Sequence, residues 1–437
     1  MGQLTVWMNG EWVGTWSNDH SHSFEYAPSW LESERARPLS LSLPLTATGQ
    51  LRGAVVENYF DNLLPDNDDI RRRLRRKYGT RSTDAFDLLA AIGRDCVGAA
   101  QLLPMGQAPH DIRRVECERL TDREIERILR EVPVTPAFAA APPTDDFRIS
   151  IAGAQEKTAL LRYRGQWCRP LNATPTTHIF KLPLGKVTRY EADFSTSVEN
   201  EWLCAQILRE LGLGVAATEM ARFGDQRALV VERFDRQWTD EPDACLLRLP
   251  QEDLCQAAGK PPAAKYEKEG GPGMRECLDV LGNSETPWPA RLEFTLAQLA
   301  FWLLAAPDGH AKNFSIFIHQ GGTYSLTPLY DVLSAWPIIG KGARQLPYQD
   351  AGLAMALRSS NAHWKFGEIE ARHWHQLAQQ AGQAVWLNMV EMVEVVDLAL
   401  DRVEAVLPKG FPDPVWSTIS AGVRRHAKKF LMTAKRL

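Results

Sequence analysis

Ala305-Ala306-Pro307-Asp308-Gly309-His310-Ala311-Lys312-Asn313-Phe314-Ser315 is the stretch that decides how the rest of the chain reads. Upstream of it, the apolar run Phe294 to Ala306 has the length of a buried helix. Proline lacks an amide hydrogen and restricts the residue before it, so that helix is expected to stop at Pro307. Downstream, Phe314-Ser315-Ile316-Phe317-Ile318 alternates with period two and reads as a strand. Gly321-Gly322 turns the chain, and Tyr324 to Tyr330 returns as the second arm of a hairpin that delivers Asp331.

Asp308, then Asn313, then a hairpin and Asp331 is the order that a protein-kinase active site requires. There the first aspartate accepts the proton of the substrate hydroxyl or orients that hydroxyl. The asparagine and the second aspartate hold Mg²⁺ against the nucleotide phosphates. Magnesium is a hard cation that takes oxygen ligands, which an amide oxygen and a carboxylate supply. A helix-stop loop with Asp and Asn as ordinary turn residues has the same local pattern, so this stretch alone leaves both readings open.

The chain has 437 residues, more than one compact core of ordinary size, so two lobes or domains are expected. Hydrophobic residues make 44% and charged residues 24%, the usage of a globular protein. A formal charge of −4 argues against non-specific nucleic-acid binding by the whole surface, though not against a local basic patch. Seven scattered cysteines without a C-x-x-C pair read as reduced intracellular thiols. The start Met1-Gly2-Gln3-Leu4-Thr5-Val6 is neither a signal peptide nor a myristoylation site, since position 6 is Val. With no apolar run long enough for a bilayer, the expectation is a soluble, cytoplasmic protein.

Along the chain, Asn9-Gly10 between alternating runs signals a hairpin, and Ser40 to Leu45 alternates again, so the first 50 residues read as β-rich. Val55 to Leu64, Asp68 to Tyr78, Phe86 to Ile92 and Thr121 to Glu131 read as helices. The second carries Arg71, Arg72, Arg73, Arg75, Arg76 and Lys77, either a solvated face or a contact for phosphate or an acidic partner. Pro133 to Pro143 reads as a linker. Phe147 to Tyr163 reads as strand, loop and strand around Ala152-Gly153-Ala154, where small residues let backbone amides approach an anion. It lacks the spacing of a Walker loop.

Lys181, in the short strand Thr177 to Pro183, either snorkels to solvent or meets a buried anion. Thr196 to Glu199 resembles a capping box opening a helix that ends at Gly212. Glu199 and Glu201 are both candidate partners for Lys181, with Glu201 favoured because Glu199 is placed to serve the cap. Arg227 to Asp235 is a buried strand entering a polar segment, with Glu232 and Phe234 as candidates for an adenine edge. Beyond Leu254 helices dominate. Trp386 to Leu407 reads as core through Leu387, Val390, Val393, Leu398, Leu400 and Val403. The histidine pairs 20/22 and 373/375 lack the companions of a metal site. The basic tail (Arg424, Arg425, His426, Lys428, Lys429, Lys435, Arg436) is a solvated helix face or a contact for nucleic acid or an acidic partner.

Several longer motifs resemble one family over nearly the whole chain. They are Tyr26-Ala27-Pro28 with Trp30-Leu31, Ala36-Arg37-Pro38-Leu39-Ser40-Leu41-Ser42-Leu43-Pro44, Phe60-Asp61-Asn62-Leu63-Leu64-Pro65-Asp66, and Ile92-Gly93-Arg94-Asp95. Others are Arg148-Ile149-Ser150-Ile151-Ala152-Gly153-Ala154-Gln155-Glu156-Lys157, Leu249-Pro250-Gln251-Glu252-Asp253, and Asp308 to Asn313. The family is that of the HipA toxin kinases, partners of HipB-type antitoxins, and the match looks close to its enterobacterial members. The resemblance implies an α+β, bilobal protein-kinase-like fold. Residues 1–105 would form a β-rich N-terminal subdomain, 106–234 the rest of the N-lobe, and 235–437 a mainly helical C-lobe with the catalytic loop.

By the same resemblance Asp308 is catalytic, and Asn313 and Asp331 are the Mg²⁺ ligands. Ala152, Gly153, Ala154, Gln155, Glu156 and Lys157 form the phosphate loop, and Lys181 is the phosphate lysine. Glu232, Arg233 and Phe234 line the adenine of ATP, with His310, Ala311, Lys312 and Tyr330 nearby, and Ser150 is the autophosphorylated serine. The family's substrate class is an aminoacyl-tRNA synthetase, glutamyl-tRNA synthetase in close relatives, and its phosphorylation halts translation and growth and promotes persistence. The partner implied is a HipB-like helix-turn-helix antitoxin, through which operator DNA is reached. Pro307 departs from the expected pattern. Two other function classes use parts of the same pattern: a small-molecule kinase, and a non-catalytic corepressor on a DNA-bound antitoxin.

Overall fold

The computed structural model describes residues 2–133, 150–153, 155–187, 192–240, 244–342, 344–382 and 384–437. The chain divides into two compact units. One holds Met1–Leu182, Ala221–Ala264 and Ile316–Tyr324; the other holds Pro183–Met220, Lys265–Ser315 and Ser325–Leu437. The linker expected over Pro133 to Pro143 lies almost wholly outside the described residues, and so do Arg148, Ile149 and Ala154.

The two larger sheets of the first unit are antiparallel. In the five-stranded sheet the order is Gln50–Arg52, His22–Tyr26, Glu11–Asn18, Gly2–Met8, Gln101–Pro104. Its first hairpin turns at Asn9 and Gly10, both at positive φ, as an Asn-Gly turn requires. Helices Ala54–Asp61 and Ala85–Ile92 supply Phe60 and Phe86 to a core where Phe60 stacks on Trp16 at 4.0 Å. Helix Asp68–Tyr78 is capped by Asn67, whose side chain accepts from Asp69 N, and it ends at left-handed Gly79.

The second sheet runs Thr218–Phe223, Gln226–Glu232, His178–Lys181, Lys157–Tyr163, Gln166–Pro170, Cys117–Arg119. Helix Asp122–Glu131 starts with the Thr121–Glu124 capping box and lays Ile125 and Leu129 on Leu160, Phe180 and Val230. Ser40 to Leu45, expected as a strand, is a turn in which Leu43 N donates to Ser40 O. The hydroxyls of Ser40 and Ser42 bond to Glu252 and to Gln256 O, and such side-chain bonds compete with a strand ladder.

The second unit is mainly helical: Ser197–Glu210, Met274–Leu281, Pro287–Leu303, Ala371–Ala381, Val385–Glu394, Val396–Ala405 and Asp413–Ala434. It also holds the hairpin Gly352–Arg358/Ala362–Lys365, which the sequence reading passed over. Thr196 does not cap with its side chain; instead Ser197 Oγ accepts from Leu184 N. The segment read as one core helix from Trp386 is two helices meeting at Val395, and the break leaves Leu387 and Leu398 exposed. In the tail, His426 is not a surface residue. It stacks on Trp302 at 4.2 Å, with ring nitrogens at 2.6 Å from Trp302 O and 2.7 Å from the Tyr348 hydroxyl. Arg424 pairs with Asp397 and Asp401, and Lys435 with Glu394. Among the described residues no helix is long and apolar enough to cross a membrane.

Candidate active site

The loop after helix Pro287–Leu303 is shaped by the helix end rather than by the proline. Ala306 N donates to Phe301 O at 2.8 Å, and Ala305 takes the left-handed conformation, φ 47°. That is a Schellman-type stop with alanine where glycine is usual, and it ends the helix before Pro307 is reached. Pro307 therefore lies in the loop and disturbs no helical bond. Gly309 follows because a Cβ there would sit 2.4 Å from the Phe301 ring. The turn closes with His310 N on Asp308 O at 2.8 Å. Asn313 Nδ2 also donates to Asp308 O, at 2.7 Å. That bond engages the NH₂ end of Asn313 and presents its amide oxygen as the acceptor, the end a hard cation takes.

The return segment is stitched to the same loop. The Tyr330 hydroxyl donates to Lys312 O at 2.9 Å and lies 2.5 Å from Ser315 Oγ. The residue next to Asp331 is thereby bonded to the residue next to Asn313. Ser334 Oγ donates to Leu304 O, and Ala335 N to Ala305 O. Asn200, on helix Ser197–Glu210, clamps Ser334 through both its N–H and its carbonyl. Asp331 itself is left-handed, φ 61°. A non-glycine residue there costs about 1–2 kcal/mol, a strain that recurs at functional sites. Asp308 is exposed, and its Oδ1 accepts from the Tyr266 hydroxyl at 2.6 Å. Tyr266 escaped the sequence reading because it lies 42 positions from Asp308 with no periodic link.

In the first unit the phosphate-loop candidates gather around two lysines. Lys157 and Lys181 are direct cross-strand partners, on one face of the sheet. Gly153 has φ 108°, a backbone conformation that residues with a side chain rarely adopt, and Lys157 Nζ lies beside it. Gly153 O accepts from Asp66 N at 3.1 Å, Gln155 Nε2 donates to Leu182 O, and Glu156 pairs with Arg73 of the basic helix. Ala152 is half-buried. Ser150 is buried, its hydroxyl donating to Leu63 O at 2.8 Å and its N–H to Asp95 O at 3.0 Å.

At the strand end, Glu232 is exposed and Phe234 packs edge-on against Phe317. Arg233 is different from its neighbours. Its N–H donates to Thr177 O, and its guanidinium is buried among Asp235, Asp95, Thr176 and Cys96 O. Its side chain therefore serves a buried ionic cluster rather than a ligand. Arg236 and Arg248 complete the cluster, each on Asp95 Oδ1. Burial pushes the Asp95 carboxyl up, but the guanidinium groups of Arg236, Arg248 and Arg233 outweigh it and hold it well below the usual range. Asp235 is lowered the same way by Arg233 and Arg236.

The predicted site residues thus fall into two groups. Ser150, Ala152, Gly153, Gln155, Glu156, Lys157, Lys181, Glu232, Arg233 and Phe234 belong to the first unit. Asp308, His310, Ala311, Lys312, Asn313, Tyr330 and Asp331 belong to the second, with Glu199 and Glu201, both buried on one helix. The oxygen donors Asn313 and Asp331 fit Mg²⁺. That ion is commonly held by one or two protein ligands plus phosphates rather than by a full protein cage.

Known protein families and structures match this chain over most of its length. The HipA N-terminal domain matches residues 4–103, and the HipA-like C-terminal domain matches residues 149–407. The candidate kinase Y4mE of Sinorhizobium fredii is 32% identical over 410 residues, covering 92% of this chain and 91% of its own. The serine/threonine-protein kinase toxin HipA of Shewanella oneidensis is 28% identical over 322 residues, covering 71% of this chain and 69% of its own. A solved complex of Shewanella oneidensis HipA, HipB and operator DNA holds a chain with the same fold. Its TM-score is 0.81 at 22% identity, covering 99% of this chain and 98% of that one.

Proposed function

The chain belongs to the HipA family, whose fold it has, and from that premise we propose that it transfers the γ-phosphate of ATP to a serine of a protein substrate. The observation that carries the reading is the double anchoring of one short turn. Asn313 is tied to the Asp308 carbonyl, and Tyr330 is tied to the Lys312 carbonyl. A hydroxyl-activating carboxylate and two oxygen ligands are thereby presented by neighbouring backbone.

In this reading the substrate hydroxyl donates its proton toward Asp308 while its oxygen forms a bond to the γ-phosphorus. The bond from that phosphorus to the ADP oxygen breaks, and ADP leaves. Asn313 and Asp331 would hold Mg²⁺, which neutralises phosphate charge. Lys157, Lys181 and the amides around Gly153 bind the phosphates, and Glu232 to Phe234 flank the adenine. Most of the catalysis is positioning and charge stabilisation. Autophosphorylation of Ser150 would be self-limiting, because it adds about −1.5 to −2 charge beside the loop meant to hold ATP phosphates.

The substrate we propose is an aminoacyl-tRNA synthetase, glutamyl-tRNA synthetase by family resemblance, so that phosphorylation stops translation and growth in the cytoplasm. A HipB-like antitoxin is the proposed partner and the route to operator DNA, as HipB accompanies HipA in the Shewanella oneidensis complex. The test is mass spectrometry of a lysate incubated with the protein and ATP, with Asp308→Ala as control. New phosphoserine is expected with the parent, and roughly 10²- to 10⁴-fold less with the variant. Label passing to sugars or lipids and not to protein would point to a small-molecule kinase. No transfer at all would favour the corepressor reading.

A further inference from the structure

The contact between Tyr266 and Asp308 has no counterpart in the metal- and phosphate-binding roles above. Asp308 sits exposed on a loop, where a carboxylate is free to change rotamer. Its Oδ1 nevertheless accepts a 2.6 Å bond from a phenol on a separate segment. That phenol is itself well fixed. Its ring meets His310 edge-on, with centroids 4.9 Å apart, and Lys265 lies over its face. The Tyr266 carbonyl accepts from both Glu269 N and Gly271 N. The next residue, Glu267, anchors the turn to strand Gly352–Arg358 by accepting from Ala356 N and pairing with Arg358. Even Gly273 serves this arrangement, since a Cβ there would stand 2.8 Å from the Glu267 carboxyl.

We propose that Tyr266 is a positioning residue for Asp308. It rests on the kinase reading above and adds a specific part to it. A carboxylate offers two oxygens. Tyr266 holds Oδ1, which fixes the side-chain rotamer and directs Oδ2 as the acceptor for the incoming hydroxyl. Catalytic groups must be held to fractions of an ångström, and a bond to a charged acceptor from a rigid donor achieves this. The hairpin Gly352–Arg358/Ala362–Lys365 then acts as the support of the turn that carries Tyr266.

The experiment compares Tyr266→Phe, Asp308→Ala and the double variant by initial rates of label transfer from γ-labelled ATP into whole-lysate protein. Phenylalanine keeps the ring on His310 and removes only the hydroxyl. Losing one bond to a charged group predicts a kcat about 10- to 100-fold lower, with the KM for ATP changed by less than about twofold. In the Asp308→Ala background the same substitution should cost nothing further, because Tyr266 acts only through that carboxylate. A Tyr266→Phe protein with parental kcat, beside an inactive Asp308→Ala, would overturn the role of Tyr266 and leave the kinase reading intact. So would an equal loss in both backgrounds, the mark of a merely structural residue. An Asp308→Ala protein as active as the parent would overturn the kinase reading, and the role of Tyr266 with it.

Discussion

Replacing Asp95 by asparagine asks whether the buried ionic cluster holds the first unit together. The carboxylate accepts five bonds: from Thr176 N and Oγ1 at 3.1 and 2.7 Å, Arg236 at 2.9 Å, Arg248 at 3.1 Å and Arg233 at 3.3 Å. The cluster sets three guanidinium groups against two carboxylates, all buried, so it carries one net positive charge. Asparagine keeps the shape and leaves two. Breaking a buried pair from one side costs about 3–5 kcal/mol, because the remaining charge is uncompensated. Asparagine can still accept from Thr176, so we expect the lower end, ~3 kcal/mol.

With a urea slope of about 1–3 kcal/mol per M, the unfolding midpoint of this unit should fall by about 1–3 M. The assay is urea unfolding followed by circular dichroism, with hydrogen exchange of strand Gln226–Glu232 reporting the unit itself. The pH dependence has a definite sign. Asp95 and Asp235 are held below their ordinary range. Their contribution is thus present above the unfolded-state value of about 3.9 and lost as pH falls through their folded values. The Asp95→Asn protein should lose less stability on acidification than the parent. A midpoint equal to the parent's, with unchanged exchange protection, would refute the reasoning.

Glu252 is fully buried, accepting from Ser40 Oγ at 2.5 Å and Leu41 N at 2.8 Å. Burial pushes its carboxyl up to about 8, against the bonds from Leu41 and Ser40. Its folded value exceeds its unfolded one, so its contribution is full below about 4.3 and lost as pH rises through about 8. Urea midpoints taken across that range should fall more steeply for the parent than for Glu252→Gln; parallel curves would contradict the assignment. Phosphate on Ser150 cannot keep the buried bond to Leu63 O, so phosphorylation should release residues 150–153 from Leu63 to Asp66. Faster hydrogen exchange at 63–66 and an ATP affinity at least about tenfold weaker are expected, and unchanged affinity would exclude the switch.

Local chemistry made much of this legible in the chain. The Asn-Gly hairpin, the helices over Asp68–Tyr78 and Asp122–Glu131 and the strand that follows Asn313 each depend on neighbours in sequence, and each formed within a residue of where the sequence puts it. What failed depended on distant partners. Ser40 and Ser42 alternate like a strand, but Glu252 and Gln256, some 212 and 214 positions away, capture their hydroxyls. His426 reads as part of a basic face, yet it lies against Trp302, 124 positions earlier. The buried role of the Arg233 side chain was equally invisible, because its partner Asp95 lies 138 positions away. Tyr266 had no signal, because nothing in a Lys-Tyr-Glu tripeptide points to an aspartate beyond a helix. At Asp331 the order of residues was readable, but the left-handed backbone that carries it was not.

Calorimetric titration of ATP into the unphosphorylated protein, with and without magnesium, tests the central claim most directly. The account predicts uptake of one ATP that requires magnesium and is lost in Asp331→Ala, while Asp308→Ala still binds. An unphosphorylated chain that takes up no ATP, or takes it up regardless of magnesium and of Asp331, would contradict it.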